Sequence, residues 1–152
     1  MTSSALAERP TERQQLRVGL QNVRLWVHRT DFAGLRCGER PVFRSYKVRP
    51  IRDLPRPVIV CSAHPATGRV DTALSLLVDQ WVHPLGTISD EEVAEEGFAS
   101  RGEYKRYFAE RYPRWGWRPL ENVMAFRLRP LTDDDRQAWL DRVWERLYGS
   151  FA

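Results

Sequence analysis

The sequence predicts an α+β fold. We expect a small mixed β-barrel of about five to six strands, with two helices before the last strand and an amphipathic helix appended. Three observations support this expectation. The 152 residues are 42% hydrophobic and 29% charged, which suits one globular core. The strand candidates are short and bounded by proline or glycine. Regular crossover helices do not separate the strands, which argues against a doubly wound parallel sheet.

The first half of the chain alternates short extended and helical segments. Residues 22–29 alternate Val and Leu with Arg, Trp and His, as in a half-buried strand. Thr30–Asp31 then caps a short helical turn that ends at Gly38. Residues 41–48 form the next strand candidate, and three prolines predict an extended loop over residues 49–57.

Three further strand candidates follow in the second half. Residues 58–63 are a short apolar run typical of a central strand. Residues 73–83 form a longer strand candidate, broken by Pro84 and Gly86. Residues 121–130 alternate again and give the last strand.

The later helices carry clear start signals. Ser89-x-x-Glu92 and Ser100-x-x-Glu103 are capping boxes, in which the hydroxyl accepts from a first-turn amide and the carboxylate reaches back. A final helix over residues 133–148 begins with three aspartates at its positive dipole end and carries an apolar stripe.

These elements divide the chain into three parts. We expect a flexible N-terminal tail over residues 1–19, a barrel domain over residues 20–130, and the C-terminal helix, residues 131–152, packed on or beside the barrel. No segment has the apolar length of a membrane span, and no secretory signal is visible. With two isolated cysteines as well, we expect a cytoplasmic protein without membrane association.

The basic residues are unusual in kind and in position. Arginine accounts for 22 of the 24 basic side chains. Residues 1–60 hold 12 basic and 5 acidic side chains, whereas residues 61–152 hold 12 and 15. A GC-rich genome explains an arginine bias without any function. The alternative is an electrostatic footprint for a polyanion such as RNA.

Two segments combine basic and aromatic residues. The first offers phosphate contacts from Arg40, Arg44 and Lys47. Alternation along a strand prevents these three from sharing one face without a bulge, so a solvated strand edge is the alternative. The second segment offers Arg114, Trp115 and Trp117. Its rings suit stacking on single-stranded bases, although a loop tryptophan also commonly covers a core.

Motifs for chemistry are scarce. The sequence has no glycine-rich phosphate loop, no zinc-protease motif and no nucleophile elbow, and its three histidines are scattered. We therefore expect no metal and no cofactor. Glu96 is the candidate acid/base if the protein is an enzyme. The alternative role for its surroundings is a helix end, with Gly97 as a left-handed cap and Phe98 packing back.

The stretch from Phe32 to Arg129 resembles the ASCH domain, a member of the PUA-like superfamily. Three segments carry the resemblance, and they are Phe32-x-x-Leu35-x-x-Gly38-Glu39-Arg40, residues 79–92, and residues 95–108 with 123–126. The resemblance implies a small β-barrel with a cleft between barrel and helices. Members are thought to bind RNA, and some are nucleoside hydrolases or ribonucleases.

In the hydrolase members the chemistry depends on a Lys and a Thr in a G-x-K-x-x-T segment and on a Glu. Glu96 matches the Glu, but Arg40 and Phe43 stand at the Lys and Thr positions. Arginine is a poor general base and phenylalanine has no hydroxyl. The resemblance therefore favours a binding module over an enzyme.

We accordingly expect an RNA-binding ASCH-like module that uses a basic cleft. One alternative is a small nuclease or nucleoside amidohydrolase with Glu96 as acid/base. The other is a protein-interaction module that docks a partner through Trp139 and Trp144 of the C-terminal helix. We expect a monomer or a weak homodimer.

Overall fold

The computed structural model describes residues 23–149, so the predicted tail, residues 1–19, lies outside the described part. The strands are β1 (Arg24–Trp26), β2 (Val42–Ser45), β3 (Arg56–Ala63), β4 (Val70–Pro84) and β5 (Asn122–Pro130). The helices are α1 (Arg29–Cys37), α2 (Asp90–Glu95), α3 (Arg101–Arg111) and α4 (Asp133–Tyr148). A 3₁₀ turn, Leu85–Thr87, joins β4 to α2.

The five strands form one sheet in the order β1-β3-β4-β5-β2. β1 runs parallel to β3, and the other neighbours are antiparallel. A register shift between Leu77 and Asp79 marks a bulge in the long strand β4, where bulges bend a sheet. The sheet curls into a half-barrel whose edge strands, β1 and β2, border an open seam. The predicted α+β fold is confirmed, including the two helices before β5 and the helix after it.

Two hydrophobic cores lie on opposite sides of β2. Phe43 belongs to the core inside the half-barrel, together with Phe126 and Leu25. Tyr46 packs against the second core, which α2 and α3 close with Val93 and Phe108. Successive residues of an extended segment point to opposite faces, so β2 and the residue directly after it serve both cores.

The helix starts follow the predicted chemistry with two exceptions. Ser89 and Glu92 form the full capping box. The Ser100 hydroxyl accepts from the amide of Glu103, as predicted, but the Glu103 carboxylate accepts from Ala99 rather than from Ser100. α1 starts earlier than predicted. The ring of His28 accepts from the amide of Thr30, so His28 rather than Thr30–Asp31 is the cap.

The helix predicted at the C-terminus is present as α4, with Thr132 as its cap. Four large side chains are buried on its apolar face, Trp139, Leu140, Val143 and Trp144. α4 packs against β3. Arg142 donates to the carbonyl of Pro55 at 2.8 Å, so the helix is also tied to the loop before β3. Among the described residues no helix is both long and apolar enough to cross a membrane.

Candidate nucleic-acid interface

Arg40 is held against the helices by its own neighbours. Its Nη1 lies 3.3 Å from Oδ1 of Asp31. Its guanidinium lies over the rings of Phe98 and Tyr107, at 4.8 and 4.7 Å from their centroids. These contacts join α1 to α3 and to the loop between α2 and α3. Arg40 therefore has a packing role in this fold.

Asp31 is a buried carboxylate shared by two arginines. Besides Arg40, the Nε of Arg111 lies 2.9 Å from its Oδ2. Burial raises the pKa of Asp31, although both guanidinium groups act to lower it. Neither arginine could be replaced without leaving this buried carboxylate short of a partner.

Arg44 is fully buried, which differs from the exposed phosphate contact that the sequence predicts. Its guanidinium donates to Oε2 of Glu96 at 2.5 Å and to Oε2 of Glu92 at 2.7 Å. Its Nε donates to Nε2 of His83 at 3.0 Å. The cause is strand alternation. Phe43 fills the half-barrel, so Arg44 points the other way, into the carboxylates of α2 and its C-cap.

Glu96 is the buried partner in this network. It is 4% exposed and caps the end of α2, followed by Gly97 in the predicted left-handed conformation with φ of 89°. Burial raises the pKa of Glu96 to about 7, while the nearby Arg44 guanidinium lowers it. Catalysis by this carboxylate would require Arg44 to be displaced first.

His83 completes the network from β4. Burial and the neighbouring Arg44 charge lower its pKa, which favours the neutral ring. Because Nε2 accepts from Arg44, Nδ1 carries the proton and donates to the carbonyl of Pro84 at 2.8 Å. The Nδ1 of this tautomer has no lone pair for a base, so the Thr87 hydroxyl 3.1 Å away is not activated as a nucleophile.

Lys47, in contrast, is exposed and lines a pocket of about 560 Å³. The pocket lies at the open seam, between the edge strands β1 and β2. Its basic lining residues are Arg24, Lys47, Arg49, Arg52 and Arg56. Among the described residues that line it there is no acidic side chain. The seam pocket, as we call it, is therefore strongly positive.

An aspartate close in sequence is paired with an arginine outside the pocket. Asp53 follows Arg52 directly, but its carboxylate lies 3.1 Å from Nη1 of Arg146 on α4. Arg56 is placed over the ring of Trp139 at 4.8 Å, and burial lowers its pKa. The packing of α4 thus engages the one carboxylate of the loop that joins β2 to β3.

The seam pocket also has an apolar side. Its floor includes Leu25, Phe43 and Phe126 from the inner core, and the two phenylalanine rings stack with centroids 6.1 Å apart. Trp26 lines the pocket from β1 and is 56% exposed. Sequence reasoning singled out neither Arg24 nor Trp26. The charge surplus of residues 1–60 was the signal available for the arginine, and no signal marked the tryptophan.

The predicted patch around residues 111–119 is divided by the structure. Trp115 is 48% exposed and stacks on Tyr46 at 5.3 Å. Trp117 instead packs against the second core, with edge contacts to Tyr104 and Phe108. Arg114 is exposed. One ring of the pair is thus available to solvent and the other covers a core.

Other site chemistry is sparse in residues 23–149. Within that range no group of three or more His, Cys, Asp or Glu side chains is placed to hold a metal ion. Cys61 is buried and Cys37 is exposed, and both are free thiols.

Comparison with known proteins gives matches in structure alone. No protein-family model matches the sequence, and no curated protein matches it either. The chain is similar to the crystal structure of ASCH from Zymomonas mobilis, at 18% identity and a TM-score of 0.48, over 74% of this chain and 73% of that one. A tyrosine-to-phenylalanine mutant of the same protein matches at 18% and 0.48, over 74% and 76% of the two chains. A serine-to-alanine mutant matches at 17% and 0.47, over 74% of each. The likeness of this chain to these ASCH structures is one of fold.

Proposed function

We propose that this protein binds single-stranded RNA through the seam pocket. The observation that carries the proposal is the composition of the lining: five basic side chains and, among the described lining residues, no carboxylate. Four of these are exposed, namely Arg24, Lys47, Arg49 and Arg52. Clustered positive charge attracts a polyanion, and guanidinium groups bind phosphate oxygens in two-point contacts.

An exposed aromatic ring at the pocket favours a single strand over a duplex. Trp26 lies in the pocket itself, whereas Trp115 lies outside it, on the far side of β2, where Tyr46 stacks on it. Exposed rings of this kind bind unpaired bases, whose faces are hidden inside a duplex. The resemblance to ASCH domains favours RNA as the polymer.

The three predicted phosphate contacts take different roles in this proposal. Lys47 acts directly, at the mouth of the pocket. Arg44 acts at a distance, because its ion pairs with Glu92 and Glu96 fix the strand that leads into Lys47. Arg40 supports the same region by packing on Phe98.

The experiment compares charge-removing variants at the pocket with a matched control. Lys47→Ala and Arg49→Ala each remove one exposed charge from the lining. Arg106→Ala removes one from the exposed face of α3. Binding of a labelled single-stranded oligoribonucleotide is measured by fluorescence anisotropy over a salt series. Duplex RNA of the same length is the second ligand.

We expect the two pocket variants to bind more weakly and to lose about 0.7 from the slope of log affinity against log salt for each phosphate contact removed. The Arg106→Ala variant should match the wild type, and duplex should bind less well than the single strand. Equal losses in all three variants would indicate diffuse attraction to a basic protein and would overturn the proposal. Absence of binding at low salt would do the same.

A further inference from the structure

The seam pocket has an apolar surface and a basic surface in different parts of its lining, and this arrangement indicates what kind of ligand it fits. Its floor is apolar and aromatic, with Leu25, Phe43 and Phe126, while its exposed lining carries Lys47 and Arg49. A ligand that fills both parts must have a flat apolar portion joined to an anionic one. A nucleotide has this division, with a base at one end and a phosphate at the other.

The dimensions agree with a small-molecule site. A volume of about 560 Å³ lies within the roughly 300–1,000 Å³ that ligand pockets occupy. An electrostatic surface for backbone phosphates alone needs no concavity and no aromatic wall. Trp26 follows Leu25 on β1, so its ring lies on the outer face of the strand, at the rim of the pocket, and offers an exposed surface on which one base could stack.

The edge strand also supplies polar groups. Val27 donates its amide to Cys61 of β3, and the carbonyl of Val23 accepts from Ile59. Backbone groups alternate in direction along a strand, so the amides and carbonyls of Arg24 and Trp26 face away from β3, on the seam side. Hydrogen-bonding groups beside a stacking face are what recognition of a base edge requires.

We infer that the seam pocket is a mononucleotide site. It takes one unstacked nucleotide of the RNA, with the base against Trp26 and the phosphate among the basic residues. This inference rests on the proposed function and deepens it, because it assigns one nucleotide of the RNA to a defined site within the basic surface. A free nucleoside monophosphate should therefore bind on its own and compete with the single strand.

The test separates base from phosphate. Isothermal titration calorimetry measures the affinities of three ligands: a nucleoside 5′-monophosphate, ribose 5-phosphate and inorganic phosphate. Each is titrated into the wild type and into the variants Trp26→Leu, Lys47→Ala and Trp115→Leu. Trp26→Leu keeps an apolar side chain on β1 and removes the aromatic face, and thermal unfolding checks that the variant is folded. Trp115→Leu is the matched control at an equally exposed tryptophan.

We expect Trp26→Leu to weaken the binding of the monophosphate about 5- to 150-fold, which is the effect of losing one base–aromatic stack. The affinities for ribose 5-phosphate and inorganic phosphate should not change in Trp26→Leu, whereas Lys47→Ala should weaken the binding of all three ligands. Trp115→Leu should leave the affinity for the monophosphate unchanged.

Two results would overturn the inference. In the first, single-stranded RNA binds but the monophosphate neither binds nor competes, which leaves the proposed function standing. In the second, Trp26→Leu and Trp115→Leu behave alike. Competition by the monophosphate, lost in Trp26→Leu, would support the site even if the free nucleotide rather than the polymer proves to be the tighter ligand.

Discussion

The buried carboxylate of Glu96 makes a sharp prediction about stability and pH. Its pKa is about 7 in the folded chain, against an ordinary value of 4.5. The folded state therefore binds the proton more tightly than the unfolded state between these values, and stability falls as the pH rises through them. A difference of 2.5 pKa units, at about 1.4 kcal/mol each, gives a loss of about 3 kcal/mol between pH 4 and pH 8.

The variant Glu96→Gln removes this titration and keeps the shape of the side chain. Its free energy of unfolding, relative to the wild type, should rise by about 3 kcal/mol between pH 4 and pH 8. Urea denaturation at both pH values measures this difference, and titrating groups that do not interact with Glu96 cancel in it. An unchanged m-value would confirm that both proteins unfold in the same way.

The opposite sign would refute the reasoning. If Glu96→Gln loses stability relative to the wild type as the pH rises, the attraction of Arg44 outweighs burial and the carboxylate is stabilised in its charged form. A constant difference would mean that the folded state leaves the pKa of Glu96 at its ordinary value.

Two other predictions concern the packing of the fold. Arg40→Ala should lower the free energy of unfolding by about 2 kcal/mol, because Asp31 loses one partner in a buried site; chemical denaturation measures this, and an unchanged stability would contradict it. Truncation after Pro130 should give an unfolded or aggregated product in circular dichroism and light scattering. The four buried side chains of α4, which include Trp139, contribute about 6–12 kcal/mol, close to the whole stability of a domain. A folded, monodisperse truncated protein would show instead that α4 is an appendage.

Local chemistry was predictable from the sequence wherever it depends on near neighbours. The Ser89 capping box, the Gly97 turn and the Thr132 cap each involve contacts within a few residues, and the structure has all three. The start of α1 shifted for the same kind of reason. A histidine ring took the capping position, and histidine is not among the residues that usually signal one.

The environments of the arginines were harder to predict. Alternation along β2 indicated that Arg44 and Lys47 would point differently, but not which face the helices cover. That depends on α2, whose Glu96 lies 52 positions away from Arg44 in the sequence. The seam pocket depends on sheet order, since Arg24 and Lys47 approach each other only because β1 and β2 are the two ends of one curled sheet.

The β2 edge has a consequence for the energetics of binding. The main-chain carbonyl of Arg44 accepts from Nη2 of Arg111 at 3.0 Å and from the Tyr112 hydroxyl at 3.4 Å. With this acceptor used by Arg111 and Tyr112, pairing β2 with β1 would first have to break these two hydrogen bonds, so the bonds favour an open gap between the two ends of the sheet. A ligand that enters it has no closed form to compete with. The observed dissociation constant then equals the intrinsic one, because no population of shut molecules raises it.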